Sequence, residues 1–139
     1  SVVNNPDSPL GALADTEIVL NSGPEVISGS TRMGAGTAQK VALNLLSTLI
    51  HIKLGAVHDG MMVNVQAGNA KLKRRAAGII SRITGVDEMT ARAALEQSAG
   101  HVKPAILVCA GAATNDAAQR ILADANGNLR LALSRLSAP

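Results

Sequence analysis

Residues Gly23 to Asn44 read GPEVISGSTRMGAGTAQKVALN, and the rest of the chain is interpreted outward from this stretch. Its four glycines, Gly23, Gly29, Gly34 and Gly36, let the backbone turn tightly and approach a ligand, and Ser28, Ser30, Thr31 and Thr37 place hydroxyls between them. From about Thr37 to Leu54 follows a strongly apolar run of helical character. A helix starting there directs its unpaired N–H groups and the positive end of its dipole into the loop, which suits an anion such as phosphate. Arg32 adds a cation of bidentate geometry, and Lys40, one turn past Gly36, adds another on the same side. Loops of this composition also serve simply as turns that end in an N-cap. Composition alone leaves both readings open.

The order of the residues is more specific. Gly23-Pro24-Glu25, Gly29-Ser30-Thr31-Arg32, Gly36-Thr37, Lys40 and Asn44 together resemble the signature of the sugar-isomerase-type (SIS) phosphosugar-binding proteins. The branch they resemble contains the N-acetylmuramic acid 6-phosphate etherases and the glucokinase regulatory protein. Asn5-Pro6-Asp7-Ser8-Pro9-Leu10, Ala14-Asp15, Met62-Val63, Val65-Gln66-Ala67 and Asn69 extend the likeness to the bacterial etherases over nearly the whole chain. The family usually has Lys where this chain has Gly34, which removes one cation from the expected site.

The chain has 139 residues, enough to bury most of its apolar surface as one ordinary domain or two small ones. It contains no aromatic residue, so its core is built from Leu, Val, Ile, Ala and Met, and nothing can stack on a base. This argues against single-strand nucleic-acid binding. A formal charge of +3 is too small and dispersed to require a polyanionic partner. Cys109 is the only cysteine and lies in the apolar run Ala105 to Ala110, where it reads as a small buried hydrophobe. The most apolar stretch, Val41 to Leu54, contains Asn44, His51 and Lys53 and does not read as a membrane span. No leader pattern is visible, and a cytoplasmic location is the expectation.

Val2-Val3 reads as the tail of a strand, Leu10 to Asp15 as a short helix, and Thr16 to Leu20 as a buried strand. Strand, glycine-rich loop and long helix in that order is an α/β arrangement with its ligand at the carboxyl end of the strand. Two short strands and one helix cannot cover both faces of a sheet. The apolar residues Val41, Leu43, Leu45, Leu46, Leu49, Ile50 and Ile52 go right round the helix, which therefore needs cover on every side, from a missing half or a second subunit. The resemblance implies that residues 1–60 are the C-terminal part of an incomplete SIS-type, flavodoxin-like parallel-sheet domain.

Ala56 to Gly68 reads as a loop or short extended connection. His51, His58 and Asp59 match no ligand spacing, and no metal or cofactor is assigned. From Asn69, a candidate N-cap, to Thr84 runs an amphipathic helix whose Lys71, Lys73, Arg74, Arg75 and Arg82 read as a solvated face. Beyond it lies a repeat of period 27, in which Leu95 to Val102 aligns with Leu122 to Leu129, and Asp87 and Thr114 are equivalent helix starts. Each copy reads as helix, glycine turn, helix. Residues 61–139 are thus expected to form a small all-α subdomain similar to ubiquitin-associated bundles. Pro104 fits a first helical turn, and His101 and Lys103 read as surface or capping residues.

An etherase of this branch removes the D-lactyl ether from N-acetylmuramic acid 6-phosphate, giving N-acetylglucosamine 6-phosphate and D-lactate in cell-wall sugar recycling. Elimination needs one group to take the proton alpha to the sugar carbonyl and another to protonate the departing ether oxygen. The resemblance puts those glutamates upstream of this chain, so the intact protein is expected to be a carbon–oxygen lyase and this chain alone inactive. It implies a sugar 6-phosphate ligand held by Ser30, Thr31, Arg32 and Lys40, with Glu25 orienting a hydroxyl or bracing the loop, no catalytic residue in this chain, and a homodimer. Arg32 and Glu25 can equally pair and lock the loop without touching a ligand. A non-catalytic phosphosugar sensor of the same family, or an assembly module, are the competing readings.

Overall fold

The structure is a computed structural model that describes residues 1–137, so the last two residues of the expected 61–139 subdomain lie outside the described residues. The chain is mixed α/β, mostly helical, and falls into two compact units, Ser1–Ile50 and the remainder from His51.

In the first unit the β-branched pair Val2–Val3 forms β1, which runs parallel to β2, Ile18–Val19, with Val2 opposite Ile18 and Val3 opposite Val19. A short 3-10 turn, Gly11–Leu13, lies between them. The buried strand expected over Thr16 to Leu20 is shorter and more exposed: Ile18 and Val19 keep 42% and 41% of their surface. Its only partner strand among the described residues is β1, and a two-stranded sheet leaves side chains on both faces uncovered. Helix α1 spans Gly34–Lys53 and begins at Gly34 rather than at Thr37, because the Glu25 carboxylate satisfies the N–H groups that would otherwise fray. No residue of α1 is buried.

The second unit opens with a hairpin, β3 (Val57–His58) against β4 (Met61–Met62). Its two-residue turn, Asp59-Gly60, has φ of 46° and 74°, the double left-handed geometry that matches strand twist. Five helices follow: α2 (Ala70–Thr84), α3 (Glu88–Gln97), α4 (Val102–Cys109), α5 (Asn115–Asp124) and α6 (Leu129–Leu136). Asn69 caps α2 by accepting from the Leu72 N–H at 2.9 Å, and Gly85 ends it in the left-handed conformation.

The repeat is a structural duplication. Helices α5 and α6 start and stop 27 residues after α3 and α4. Asp87 accepts from the Thr90 N–H at 3.0 Å, and Thr114 accepts from the Ala117 N–H at 3.1 Å. The turns also match: Ala99-Gly100 and Asn126-Gly127 are all left-handed, and Gly100 and Gly127 donate to the Leu95 and Leu122 carbonyls. Equivalent alanines, Ala91 with Ala118 and Ala105 with Ala132, are fully buried, which lets aromatic-free helices approach closely. Ile80, Ile106, Leu107 and Leu129 fill the centre, each worth roughly 1.5–3 kcal/mol of burial. Lys103 departs from its surface reading. It is buried, and its Nζ donates to the Gly127 carbonyl at 2.7 Å, joining one copy to the other.

Candidate functional site

The candidate site lies where the two parallel strands end. After Val3 the chain presents Asn4, Asn5 and Ser8, and after Val19 it presents Asn21, Ser22, Gly23 and Glu25. With Thr31 and with Ala35, Gly36 and Gln39 of α1, these residues line an open cleft of roughly 670 Å³. Carboxyl ends of parallel strands are where α/β folds gather their ligands, because loops diverge there while strands hold their bases fixed. Leu20 N–H donates to the Val3 carbonyl at 2.8 Å, and the Asn4 side chain donates to the Leu20 carbonyl at 3.1 Å, which ties the two loops together.

At the start of α1 an anion does occupy the helix N-terminus, and it is the protein's own. Glu25 Oε2 accepts from the Gly34 N–H at 2.8 Å, and Oε1 accepts from the Ala35 N–H at 2.9 Å. The next donor, Gly36 N–H, bonds the Thr31 carbonyl at 2.8 Å. The first three N–H groups of α1, which starts ahead of the expected Thr37, are therefore satisfied internally. The N–H groups of Ala35 and Gly34 hold the Glu25 carboxyl below its ordinary value of 4.5, so Glu25 is ionised at neutral pH. An ionised carboxylate with both oxygens engaged braces the loop and is unsuited to protonate a leaving group.

The glycines divide into two kinds. Gly23 and Gly29 turn the loop with φ of 70° and 78°. Gly34 and Gly36 lie inside α1, where their service is space: a Cβ on Gly34 would stand 3.0 Å from Glu25 Oε2, and one on Gly36 would stand 3.2 Å from the Thr31 carbonyl oxygen.

Of the five residues singled out from sequence, Glu25 and Thr31 line the cleft. Ser30 is half-buried beside it and donates its N–H to the Ile27 carbonyl at 2.9 Å. Arg32 and Lys40 are exposed and are not among the lining residues. No ion pair joins Arg32 to Glu25 among the described residues; the loop is locked through the helix backbone instead. Asn5 and Ser8 line the cleft without having been assigned to it, and the segment Asn5 to Leu10 that carries part of the family likeness was the signal that pointed there. Asn21 and Gln39 gave no signal.

Elsewhere, His58 is buried with Nε2 3.5 Å from Asp59 Oδ2, and Arg130 bonds the other oxygen of Asp59. Arg130 first, then His58, holds the Asp59 carboxyl below its ordinary value. Cys109 is half-buried rather than buried, because it lies in the last turn of α4, and this partial burial pushes its thiol up from the ordinary value. Among the described residues no group of three or more His, Cys, Asp or Glu is placed to hold a metal ion, and no helix is long and apolar enough to cross a membrane.

No family model matches the chain. Curated relatives do. It is 46% identical over 133 residues to an N-acetylmuramic acid 6-phosphate etherase of Deinococcus radiodurans, covering 95% of this chain and 43% of that protein. A protein of the same name from Symbiobacterium thermophilum is 54% identical over 107 residues, covering 77% of this chain and 36% of the relative. Another from Streptomyces avermitilis is 44% identical over 130 residues, covering 94% and 42%. The chain thus spans less than half the length of these relatives. Over most of its own length, the chain corresponds to the C-terminal portion of N-acetylmuramic acid 6-phosphate etherases.

Proposed function

We infer that this chain is the phosphosugar-binding portion of an enzyme that cleaves the D-lactyl ether of N-acetylmuramic acid 6-phosphate, leaving N-acetylglucosamine 6-phosphate and D-lactate. The observation that carries this reading is the 46% identity maintained over 95% of the chain to a relative named for that activity. A polar cleft at the carboxyl ends of two parallel strands supports it. Residues 1–60 then close a SIS-type, flavodoxin-like sheet, and residues 61–139 form a bundle of the ubiquitin-associated kind, in a cytoplasmic homodimer. The exposed apolar surface of α1 is the face that the rest of the sheet domain, or a second subunit, covers.

Thr31 in the cleft and Ser30 beside it offer hydroxyls to the phosphosugar, while Arg32 and Lys40 reach towards its charge from outside the lining. Glu25 shapes the loop. Elimination followed by hydration needs a base, an acid and a water, and among the described residues Glu25 is the only carboxylate lining the cleft. The acid and base come from the part of the enzyme that this chain does not match.

Two measurements test this reading. The chain alone binds N-acetylglucosamine 6-phosphate, and Arg32→Ala weakens binding about tenfold or more, the effect of losing one charge-assisted hydrogen bond. The chain alone releases no D-lactate from N-acetylmuramic acid 6-phosphate, and the N-terminal portion of a relative added in trans restores release. Absence of phosphosugar binding in both the isolated and the complemented chain overturns the reading.

A further inference from the structure

A second cleft lies wholly within the helical unit and shares no residue with the one beside Glu25. It occupies about 560 Å³ between α2 and α3, within the range of small-molecule sites. Its floor is made of Ala67, Gly68, Ala70, Leu95, Ala99 and Gly100. The floor is rigid: Ala67 N–H donates to the Gly100 carbonyl at 2.9 Å, and a Cβ on Gly100 would meet the Ala67 backbone at 3.4 Å.

Its rim is charged. Lys73 and Arg74 project from α2, and Arg92 and Glu96, one turn apart, project from α3. These four side chains sum to a charge of +2, and the Glu88 carboxylate paired with Arg92 lowers the local charge to +1. Arg92 also holds Glu88 through Nε and Nη2, which orients the guanidinium while leaving three of its five N–H donors. The other basic residues of α2, Lys71, Arg75 and Arg82, do not line this cleft, so Lys73 and Arg74 are distinguished from the general basic face by what they converge upon. No acidic residue stands in the first turn of α2.

We propose that this groove binds a small phosphate monoester, with the dianionic phosphate held between Lys73, Arg74 and Arg92 and the organic part on the small-residue floor. Three cationic side chains on one groove offer more donors than a carboxylate can use, which suits the three oxygens of a phosphate, and the volume exceeds what inorganic phosphate alone fills. This site goes beyond the phosphosugar reading of the first unit and stands whether or not that reading holds.

The test is a titration of the ¹⁵N-labelled full chain with ribose 5-phosphate, with inorganic phosphate and with sodium chloride at matched ionic strength. The expected result is saturable movement of the Gly68, Ala70, Ala99 and Gly100 amides with ribose 5-phosphate, weaker movement of the same amides with inorganic phosphate, and none that saturates with chloride. In the Lys73→Gln, Arg74→Gln double variant, whose substitutions sit on exposed helix positions, affinity falls about tenfold or more. Glu96→Gln, which removes the one rim carboxylate, tightens binding about threefold. No saturation by about 10 mM, where a millimolar site is already filled, overturns the proposal. So does binding unchanged in both variants, and so does inorganic phosphate binding as tightly as the ester, which shows a bare ion site.

Discussion

Helices α1 and α4 are made from the same aliphatic side chains and end in opposite environments. Leu45 and Leu49 of α1 are each 59% exposed, whereas Ile106 and Leu107 of α4 are fully buried. The eight residues of α4 succeed because α2, α3, α5 and α6 all pack against them. The twenty residues of α1 have no such neighbours in their own unit. An apolar helix does not make a core; a core is made when several elements converge on one. The helical unit gathers several helices on one core, whereas in the strand–loop–helix unit no residue of α1 is buried.

The largest expected effect follows from that contrast. Ile106→Ala leaves a cavity among four helices and lowers the stability of the helical unit by about 2–5 kcal/mol. Leu45→Ala in α1 removes a side chain that is mostly exposed and changes stability by about 0.5 kcal/mol or less. Chemical denaturation followed by circular dichroism measures both. Equal losses for the two variants would show that α1 is covered in solution, as by self-association, and would break the comparison.

Within the helical unit the two copies of the repeat provide their own controls. Thr114→Ala removes the hydroxyl that accepts from Ala117 and costs about 1 kcal/mol. A smaller change of opposite sign is expected at Ser98. Its buried Oγ has no hydrogen-bond partner among the described residues, and the equivalent position of the second copy is Ala125, also buried. Ser98→Ala therefore stabilises the unit by up to about 1 kcal/mol, read as a higher thermal midpoint. A lower midpoint would mean that the hydroxyl is satisfied in solution.

These copies also show what a sequence makes visible. The period of 27, the caps Asp87 and Thr114 and the helix ahead of Gly85 are local signals, because capping and turn chemistry act over a few residues. The hairpin was read only as a loop or short extended connection, although Asp59-Gly60, between His58 and Met61, is a pair that favours a tight two-residue turn. Lys103 was not legible. Its burial depends on the Gly127 carbonyl, 24 residues away in the other copy, and no local pattern encodes that approach. The candidate site behaved in the same way. Its loop was evident from Gly23 and Gly29, but the service of Gly34 depends on a carboxylate nine residues upstream.

The last and smallest effect lies at that contact and asks whether the first unit holds any fixed structure by itself. The Glu25 carboxyl titrates below 4.5 in the folded chain, so between the folded value and 4.5 the unfolded chain takes up a proton that the folded chain does not. The cap is therefore complete above pH 4.5, and its contribution disappears as pH falls through the folded value. Hydrogen exchange at the Gly34 and Ala35 amides should accelerate over that window relative to amides in the middle of α1, and Glu25→Gln should abolish the pH dependence, because a neutral amide does not lose its charge there. Gly34→Ala approaches the same contact from the other side: its Cβ would stand 3.0 Å from Oε2, so the carboxylate must withdraw and protection at Ala35 should fall towards that of the Gln variant. If exchange at these amides relative to those in the middle of α1 is the same in all three proteins and at every pH, α1 starts elsewhere in solution. The first unit would then lack a local start for its helix, whereas Asn69, Asp87, Thr114 and Asn128 cap the starts of α2, α3, α5 and α6 in the second unit.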